Sequence, residues 1–134
     1  MTGERSPGAL VRDLVAGFAA VDPEAMGAVL ADDVVAHITN AEGGADVISG
    51  RDELVSRLGA FDYGSAELSL TVTNAVEPAA DQAMVMVEVR ATRSDGAELR
   101  NHAAHLCTVR DGLISEWWMV DALPARSDEF WRGA

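Results

Sequence analysis

Residues 85–121 read VMVEVRATRSDGAELRNHAAHLCTVRDGLISEWWMVD. Apolar side chains occupy every second position from Val85 to Ala91, and a period of two predicts a strand with one buried face. Two turn sequences, Ser94-Asp95-Gly96 and Arg110-Asp111-Gly112, divide the stretch into three strands. Since turns this short join neighbouring antiparallel strands, the stretch predicts an antiparallel meander.

The sequence before this stretch adds one more strand of the meander and, further upstream, three helices. Residues 68–73 show the same alternation and predict the first strand of the meander. Ser6-Pro7 and Asp22-Pro23 are typical helix starts, because each pairs a capping side chain with a proline. Residues 50–58 predict a third helix, and the β-branched residues 34–39 predict a strand before it. Helices followed by a sheet indicate the α+β class.

The chain length predicts one domain. A chain of 134 residues can bury one core but is too short for two domains of ordinary size, so we expect a single domain over residues 1–134. Residues 1–6 and 125–134 are expected to be tails. The second helix is expected to end at Asp32-Asp33, and residues 40–45 are expected to form a loop.

The composition excludes several classes of function. Ten arginines and no lysine stand against 22 acidic residues, a formal net charge of −12, which argues against nucleic acid and anionic membranes as partners. The absence of lysine excludes Schiff-base chemistry on a side-chain amine. Cys107 is the single cysteine, so no internal disulfide or multi-cysteine zinc site is expected. With no membrane-spanning run and no signal peptide, a cytoplasmic location is expected.

Several short segments carry a likeness to a known family. VAGFAAVD at 15–22 runs into LADDVV at 30–35, GRDEL follows at 50–54, and DGLISE at 111–116 precedes Asp121. In this order they resemble the nuclear transport factor 2-like superfamily and, within it, the SnoaL-like branch. The resemblance implies a cystatin-like cone, in which a curved antiparallel half-barrel sheet and three N-terminal helices enclose a pocket. It also implies a homodimer formed through the outer face of the sheet.

The register of the last strands decides which polar side chains face that pocket. If both turns are three-residue loops, Asn101 and His105 lie on the inner face, opposite Asp121 and Trp117 respectively. We favour this register because a glycine at the end of each turn suits a bulged hairpin. If both are two-residue loops, His102 replaces Asn101 beside Asp121. In both registers Asp121 faces inward.

Asp121 and His105 are the candidate catalytic residues. A carboxylate that loses solvation in an apolar cone becomes a better proton acceptor, and a histidine can donate a proton or a hydrogen bond to a developing oxyanion. The sequence therefore favours a cofactor-independent acid/base enzyme acting on a hydrophobic oxygenated small molecule, such as a polyketide-like intermediate. The alternative is a non-catalytic small-molecule-binding or accessory dimeric protein of the same fold.

The remaining predicted site residues line the pocket or stand as alternatives. The aromatic, apolar and hydrogen-bonding residues expected to line the pocket are Trp117, Met119, Asn101, Cys107, Tyr63, Leu14, Phe18 and Ile38. His102 and His37 are alternative candidates, although His37 is expected to face outward, as is Trp118, at the dimer interface. His102 and His105 are three residues apart on one strand and point to opposite faces, so no metal site is expected.

Two chemistries of the superfamily are not expected in this chain. Its steroid isomerases use a tyrosine and two acids, and the resemblance places Leu14, Ile38 and His105 at those positions, two of them apolar. Its limonene-epoxide hydrolases carry a Trp-Arg-Asp run where this chain has Trp117-Trp118-Met119, without the arginine or the acid. The resemblance therefore implies the fold and leaves the reaction open.

Overall fold

A computed structural model describes residues 6–20, 22–58 and 66–132 of the chain. The four helices in this part are α1 Pro7–Ala19, α2 Pro23–Gly27, α3 Arg51–Leu58 and α4 Pro124–Arg132. Its six strands are β1 Leu30–Thr39, β2 Ala45–Ser49, β3 Ala66–Ala79, β4 Gln82–Arg93, β5 Glu98–Arg110 and β6 Leu113–Asp121. They form one sheet in the order β2-β1-β6-β5-β4-β3, in which only the β1–β6 pair is parallel. The predicted α+β class is confirmed, with a sheet that is mixed rather than purely antiparallel.

The first two helices begin where the sequence predicts. The Ser6 hydroxyl accepts a hydrogen bond from the Ala9 amide at 3.2 Å, and the Asp22 carboxylate accepts one from the Ala25 amide at 3.1 Å. Each cap satisfies a backbone donor that the first helical turn leaves free. At Gly17 an added Cβ would lie 3.2 Å from the Met26 nitrogen, so the glycine allows α2 to pack closely against α1.

The core lies between α1 and the inner face of the sheet. Helix α1 packs across β3, β4, β5 and β6. The residues of this core that are less than 2% exposed are Leu10, Val11, Leu14, Leu30, Val34, Ala36, Leu54, Ala83, Val85, Val87, Cys107, Ile114 and Trp117. Alternation along β1, β4, β5 and β6 supplies the sheet half of this set, as the period of two requires.

Three of the predicted boundaries in the described chain are wrong. The second helix does not run to Asp32-Asp33, because β1 begins at Leu30 and pairs with Ile114 of β6. Residue 45 is not loop, because it begins β2, which pairs antiparallel with β1 across a turn held by the Asn40 side chain. Most of the expected C-terminal tail is α4, whose Phe130 packs on Ala91 and Leu99.

The two turns of the meander differ in length, which corrects the predicted register. The β4–β5 turn is a three-residue loop closed by the Arg93 amide on the Ala97 carbonyl at 2.8 Å, as expected. The β5–β6 turn is a two-residue loop, Asp111-Gly112, with φ of +53° and +78°, typical of a type I′ turn. A bulge at Ser115 then inserts one extra residue into β6.

The two-residue turn and the bulge each shift the register of β6 by one residue. Together they leave the faces of the strand unchanged but change which residues pair. His105 pairs with Met119 rather than Trp117, and Ala103 rather than Asn101 pairs with Asp121. Asn101, His105 and Asp121 nevertheless remain on the inner face, because the partner of each residue on β5 has moved along β6 by two positions. The alternative register is wrong, since His102 is exposed and pairs with Glu88 on the outer face.

Candidate functional site

The inner face of the sheet has an enclosed part and an open part. Ala36, Trp117 and Cys107 lie in one row across β1, β6 and β5, and none of them is exposed. Further along the same strands, Ile38, Ala103, Met119 and Asp121 are only partly buried. We call these four residues the open part of the inner face. Phe18 of α1 is also partly buried and packs against the same core, so α1 leaves this part of the sheet accessible.

His105 borders the open part and is fixed by Trp117. The Trp117 Nε1–H donates to His105 Nδ1 at 3.1 Å, and the two ring centroids are 5.7 Å apart. Burial lowers the pKa of His105 to about 4, so the imidazole is neutral at physiological pH. An indole N–H can only donate, which places the imidazole proton on Nε2.

The Nε2–H of His105 is available to a ligand. It makes no hydrogen bond to any residue within the described ranges. Every fully enclosed side-chain nitrogen or oxygen in that part of the chain has a partner, so Nε2 reaches accessible space although His105 is only 4% exposed. Buried N–H groups without a partner are rare because losing a hydrogen bond is costly, so this donor is suited to an acceptor on a bound molecule.

Asp121 ends β6 with one carboxylate oxygen held and the other free of described partners. Its Oδ1 accepts from the Asn101 amide at 2.5 Å and from the Leu123 backbone N–H at 2.8 Å. Asn101 donates also to the Ser127 hydroxyl at 2.8 Å and accepts from the His102 backbone N–H at 2.7 Å, which fixes its orientation. The residues described by the structure donate no hydrogen bond to Asp121 Oδ2, so this oxygen can accept a proton from a ligand.

Ala103 separates the two candidate catalytic residues. It pairs directly with Asp121 and lies two residues before His105 on the same face of β5. His105 and Asp121 are therefore diagonal neighbours across the strand pair, a relationship that in sheets separates residues by about 7–8 Å and their Cβ atoms by somewhat less. The other two corners of this diagonal arrangement are Ala103 of β5 and Met119 of β6.

The other predicted lining residues divide by burial. Leu14, Cys107 and Trp117 are enclosed by protein, so these three predicted lining residues belong to the core and not to the surface of the open part. Burial raises the pKa of the Cys107 thiol, which is therefore not a nucleophile. Phe18, Ile38 and Met119 are partly exposed, as a lining residue must be, and Tyr63 lies outside the described residues. The sequence did not point to Ala103 or Ser127 as site residues. Neither side chain suggests a catalytic role by its type, and their places beside Asp121 and Asn101 follow only from the strand register and the position of α4.

His37 faces outward, as expected, with Trp118. Their rings stack with centroids 5.0 Å apart and planes 7° from parallel, and the His37 Nε2 lies 2.9 Å from the Glu116 carboxylate. In register these two join an outer row that crosses all six strands. From β3 to β2 the outer row is Val76, Met84, Leu106, Trp118, His37 and Val47.

A surface cavity of about 350 Å³ lies away from these residues, between α2 and α3. Arg51 and Asp52 are its charged lining residues, and Arg51 is paired with Asp32 at 2.7 Å. Neither of the two buried polar residues in the described chain, Asn101 and His105, lines it. In the described part of the chain, no three His, Cys, Asp or Glu side chains converge as metal ligands. None of the described helices is long and apolar enough to span a membrane.

The family follows from a match that covers most of the chain. A family model described as a SnoaL-like domain matches residues 11–117. The chain belongs to the SnoaL-like family. The matched range begins within α1 and ends at Trp117 in β6, so it contains His105 but not Asp121. None of the curated proteins compared with this SnoaL-like chain matches it.

Solved structures share the fold of the SnoaL-like chain. Bal32a, from a soil-derived mobile gene cassette, has a TM-score of 0.76 and 17% identity, covering 92% of this chain and 95% of that one. A protein of ketosteroid isomerase-like fold from Catenulispora acidiphila, in complex with trimethylamine, has a TM-score of 0.73 and 18% identity, covering 91% of each chain. A candidate polyketide cyclase from Pseudomonas putida has a TM-score of 0.70 and 18% identity, covering 86% of this chain and 90% of that one. At these identities the likeness shows the fold alone.

Proposed function

We propose that this SnoaL-like chain is a cofactor-independent acid/base enzyme acting on a hydrophobic, oxygenated small molecule. The reaction is of the cyclase, isomerase or dehydratase type, and a polyketide-like ketone is the representative substrate. The observation that carries the proposal is the placement of a neutral donor, His105, and a carboxylate, Asp121, on either side of Ala103 in the open part of the inner face. Apolar neighbours with few polar groups are typical of such ligand sites.

The proposed reaction begins with the removal of a proton next to a carbonyl. The substrate carbonyl oxygen accepts from the His105 Nε2–H, and Asp121 Oδ2 takes the proton from the adjacent carbon. The C–H electron pair becomes the enolate, whose oxygen is stabilised by the same donor. In an isomerase, the enolate takes the proton back from Asp121 at another carbon. In a cyclase, it attacks a second carbonyl, and the new alkoxide takes that proton. In a dehydratase, it expels a hydroxyl group, which leaves with that proton as water. Acid/base action of this kind contributes roughly 10²–10⁴-fold in rate.

The hydrogen bonds around Asp121 support its role as a base. Asn101 and the Leu123 backbone both donate to Oδ1, so they fix the plane of the carboxylate and leave Oδ2 directed away from them. Asn101 is itself only 3% exposed and is oriented by two further contacts. A base held in this way is positioned before the substrate arrives, which lowers the cost of reaching the reactive geometry.

The second candidate function is a non-catalytic small-molecule-binding protein. One observation favours it: the two bonds to Asp121 Oδ1 also describe a structural cap at the end of β6, and Asn101 connects this cap to Ser127 of α4. In that case His105 holds the ligand oxygen and Asp121 only fixes the turn that leads to α4.

We also propose that the protein is a homodimer formed through the outer face of the sheet. The outer row presents apolar side chains on every strand except β1, where His37 stacks on Trp118. Val47, Val76, Met86 and Val120 are each at least 40% exposed on or beside this row. Contiguous exposed apolar surface of this kind is typical of an interface.

Exchange of ketone protons for deuterium tests the enzymatic proposal without knowledge of the natural substrate. The probe is 1-indanone in D₂O, and NMR follows the loss of the protons beside its carbonyl. We expect the wild-type protein to accelerate exchange and Asp121→Asn to lose at least about 100-fold of the acceleration while keeping its affinity for 1-indanone. Asp81→Asn, which changes an exposed turn, is the matched control and keeps wild-type exchange. Binding without exchange in the wild type would favour the second function, and unchanged exchange in Asp121→Asn would contradict the first.

A further inference from the structure

We propose that Trp117 is a positioning residue that holds His105 as a hydrogen-bond donor, and that the site therefore selects ligands that present an acceptor oxygen above Ala103. The inference concerns the state of one histidine and the class of ligand that this state allows. It rests on the proposed function only for the place of the ligand, because the state of His105 can be measured without one.

The first step is the chemistry of the two rings. Trp117 is fully buried and its indole nitrogen carries a hydrogen that can be donated but no lone pair that can accept. With His105 Nδ1 at 3.1 Å, a proton on Nδ1 would set two N–H groups against each other. Both would then lack a partner in a buried place, which is costly. The pair is therefore stable with the proton on Nε2.

The second step is that no other described group competes for the His105 nitrogens. The residues before and after it on the inner face are Ala103 and Cys107, and its cross-strand neighbours are Val85 and Met119. These side chains are apolar except for the thiol of Cys107, which is neutral because burial raises its pKa. Asp121 lies diagonally across Ala103 with Oδ1 already bound by Asn101. Trp117 is thus the one described residue that bonds to the ring.

The third step connects this state to the ligand. The Nε2–H can donate and cannot accept, so a carbonyl or enolate oxygen is matched to it, and a ligand with an apolar group at the same place leaves it unsatisfied. An unsatisfied buried donor is costly, and we expect the loss to be roughly tenfold in affinity, which is about 1.4 kcal/mol. The hydrogen bond from Trp117 disfavours the tautomer in which His105 Nε2 would accept a hydrogen bond from a ligand.

Nitrogen NMR of the protein with ¹⁵N-labelled histidine tests the first half of the inference. The three histidines are assigned with His37→Gln and His102→Gln, which change the outer face only. At pH 7 we expect His105 to be neutral with Nδ1 unprotonated and Nε2 protonated. A protonated Nδ1 in the wild type, in either the neutral or the charged ring, would overturn the inference.

Two tryptophan variants separate positioning from packing. Trp117→Phe keeps an aromatic ring but removes the donor, so the His105 signals should move toward the average of two exchanging tautomers. Trp118→Phe is the matched control, since Trp118 is the next residue, faces outward and stacks on His37. It should leave the His105 signals unchanged. If Trp117→Phe does not fold, the wild-type spectrum decides alone.

A pair of ligands of equal shape tests the second half. In 1-methyleneindane a CH₂ group replaces the carbonyl oxygen of 1-indanone, and the same protein samples are titrated with both. For each protein we compare the affinity for 1-indanone with the affinity for 1-methyleneindane. We expect this ratio to be about tenfold higher in the wild type than in His105→Leu. An equal ratio in the two proteins would overturn the selection for ligands with an acceptor oxygen. It would not contradict the positioning of His105 by Trp117. Loss of deuterium exchange alone, with the preference retained, would count against the proposed enzyme and not against this inference.

Discussion

His105 and Asp121 lie on the same face of two adjacent strands, on either side of Ala103, and each is held by a different neighbour. Trp117 bonds to one nitrogen of His105, and Asn101 bonds to one oxygen of Asp121. In each case the second heteroatom, Nε2 or Oδ2, has no hydrogen-bond partner in the described parts of the chain. The pair therefore offers a donor and an acceptor to one molecule across a diagonal whose other two corners are Ala103 and Met119.

Filling the space above Ala103 should weaken ligand binding. We expect Ala103→Leu to reduce affinity for 1-indanone by at least about tenfold, because three extra carbons occupy the space between His105 and Asp121. Ala104→Leu, the next residue on β5, faces outward and serves as the control for strand stability. Isothermal titration calorimetry of the two variants decides the matter, and equal affinities would show that the ligand does not lie over Ala103.

The buried imidazole of His105 makes stability depend on pH. Burial lowers its pKa from the usual 6.5 to about 4 in the folded state, so between these values the unfolded chain binds the proton and the folded chain does not. The folded state therefore keeps its full stability above about pH 6.5 and loses roughly 3 kcal/mol as the pH falls to 4. Urea unfolding at several pH values measures this loss.

The variant His105→Gln is the control for that pH series, because it lacks the titrating ring. Its unfolding free energy should change less than that of the wild type between pH 6.5 and 4. Parallel curves for the two proteins would show that His105 is not a buried neutral group.

Cys107 should be inert in the folded protein. It is fully buried opposite Trp117, and burial raises the pKa of its thiol, so a thiol reagent meets neither an accessible nor an ionised sulfur. We expect labelling at pH 8 only at the rate of unfolding, and rapid labelling in denaturant. Fast stoichiometric reaction of the native protein would contradict the burial of Cys107 in the core.

The outer row predicts how the homodimer can be broken. Trp118→Glu places a charge in the middle of the row and should shift the protein to a monomer in analytical ultracentrifugation, because an unpaired charge is costly to bury. Ser69→Glu, an exposed position on β3 outside the outer row, is the control. A wild-type protein that sediments as a monomer would contradict the interface itself.

The sequence predicted which residues share the inner face, because a period of two is a local property of each strand. Asn101, His105 and Asp121 were assigned to the correct face because the β4–β5 loop has the predicted three residues, and the two-residue turn and the bulge beyond it cancel. It did not predict their partners, since these depend on the positive φ of Asp111 and on the extra residue Ser115, whose effects on the faces cancel. Bulges of this kind leave no clear pattern in a single sequence.

The missed elements share a different cause. Strand β2 has five residues and forms only by pairing with β1, and α4 is polar except where Phe130 meets the sheet. The Arg93 side chain holds this helix by donating to the Phe130 carbonyl at 2.9 Å. Their stability comes from tertiary contacts and not from local propensity, so a reading of periodicity alone assigns them as loop and tail.

The most direct test of the account is a crystal structure of the protein soaked with 1-indanone. We expect the ketone in the open part of the inner face, with its oxygen about 3 Å from His105 Nε2 and the neighbouring carbon facing Asp121 Oδ2. A ketone bound in the cavity between α2 and α3, or bound with its oxygen away from His105, would contradict the account.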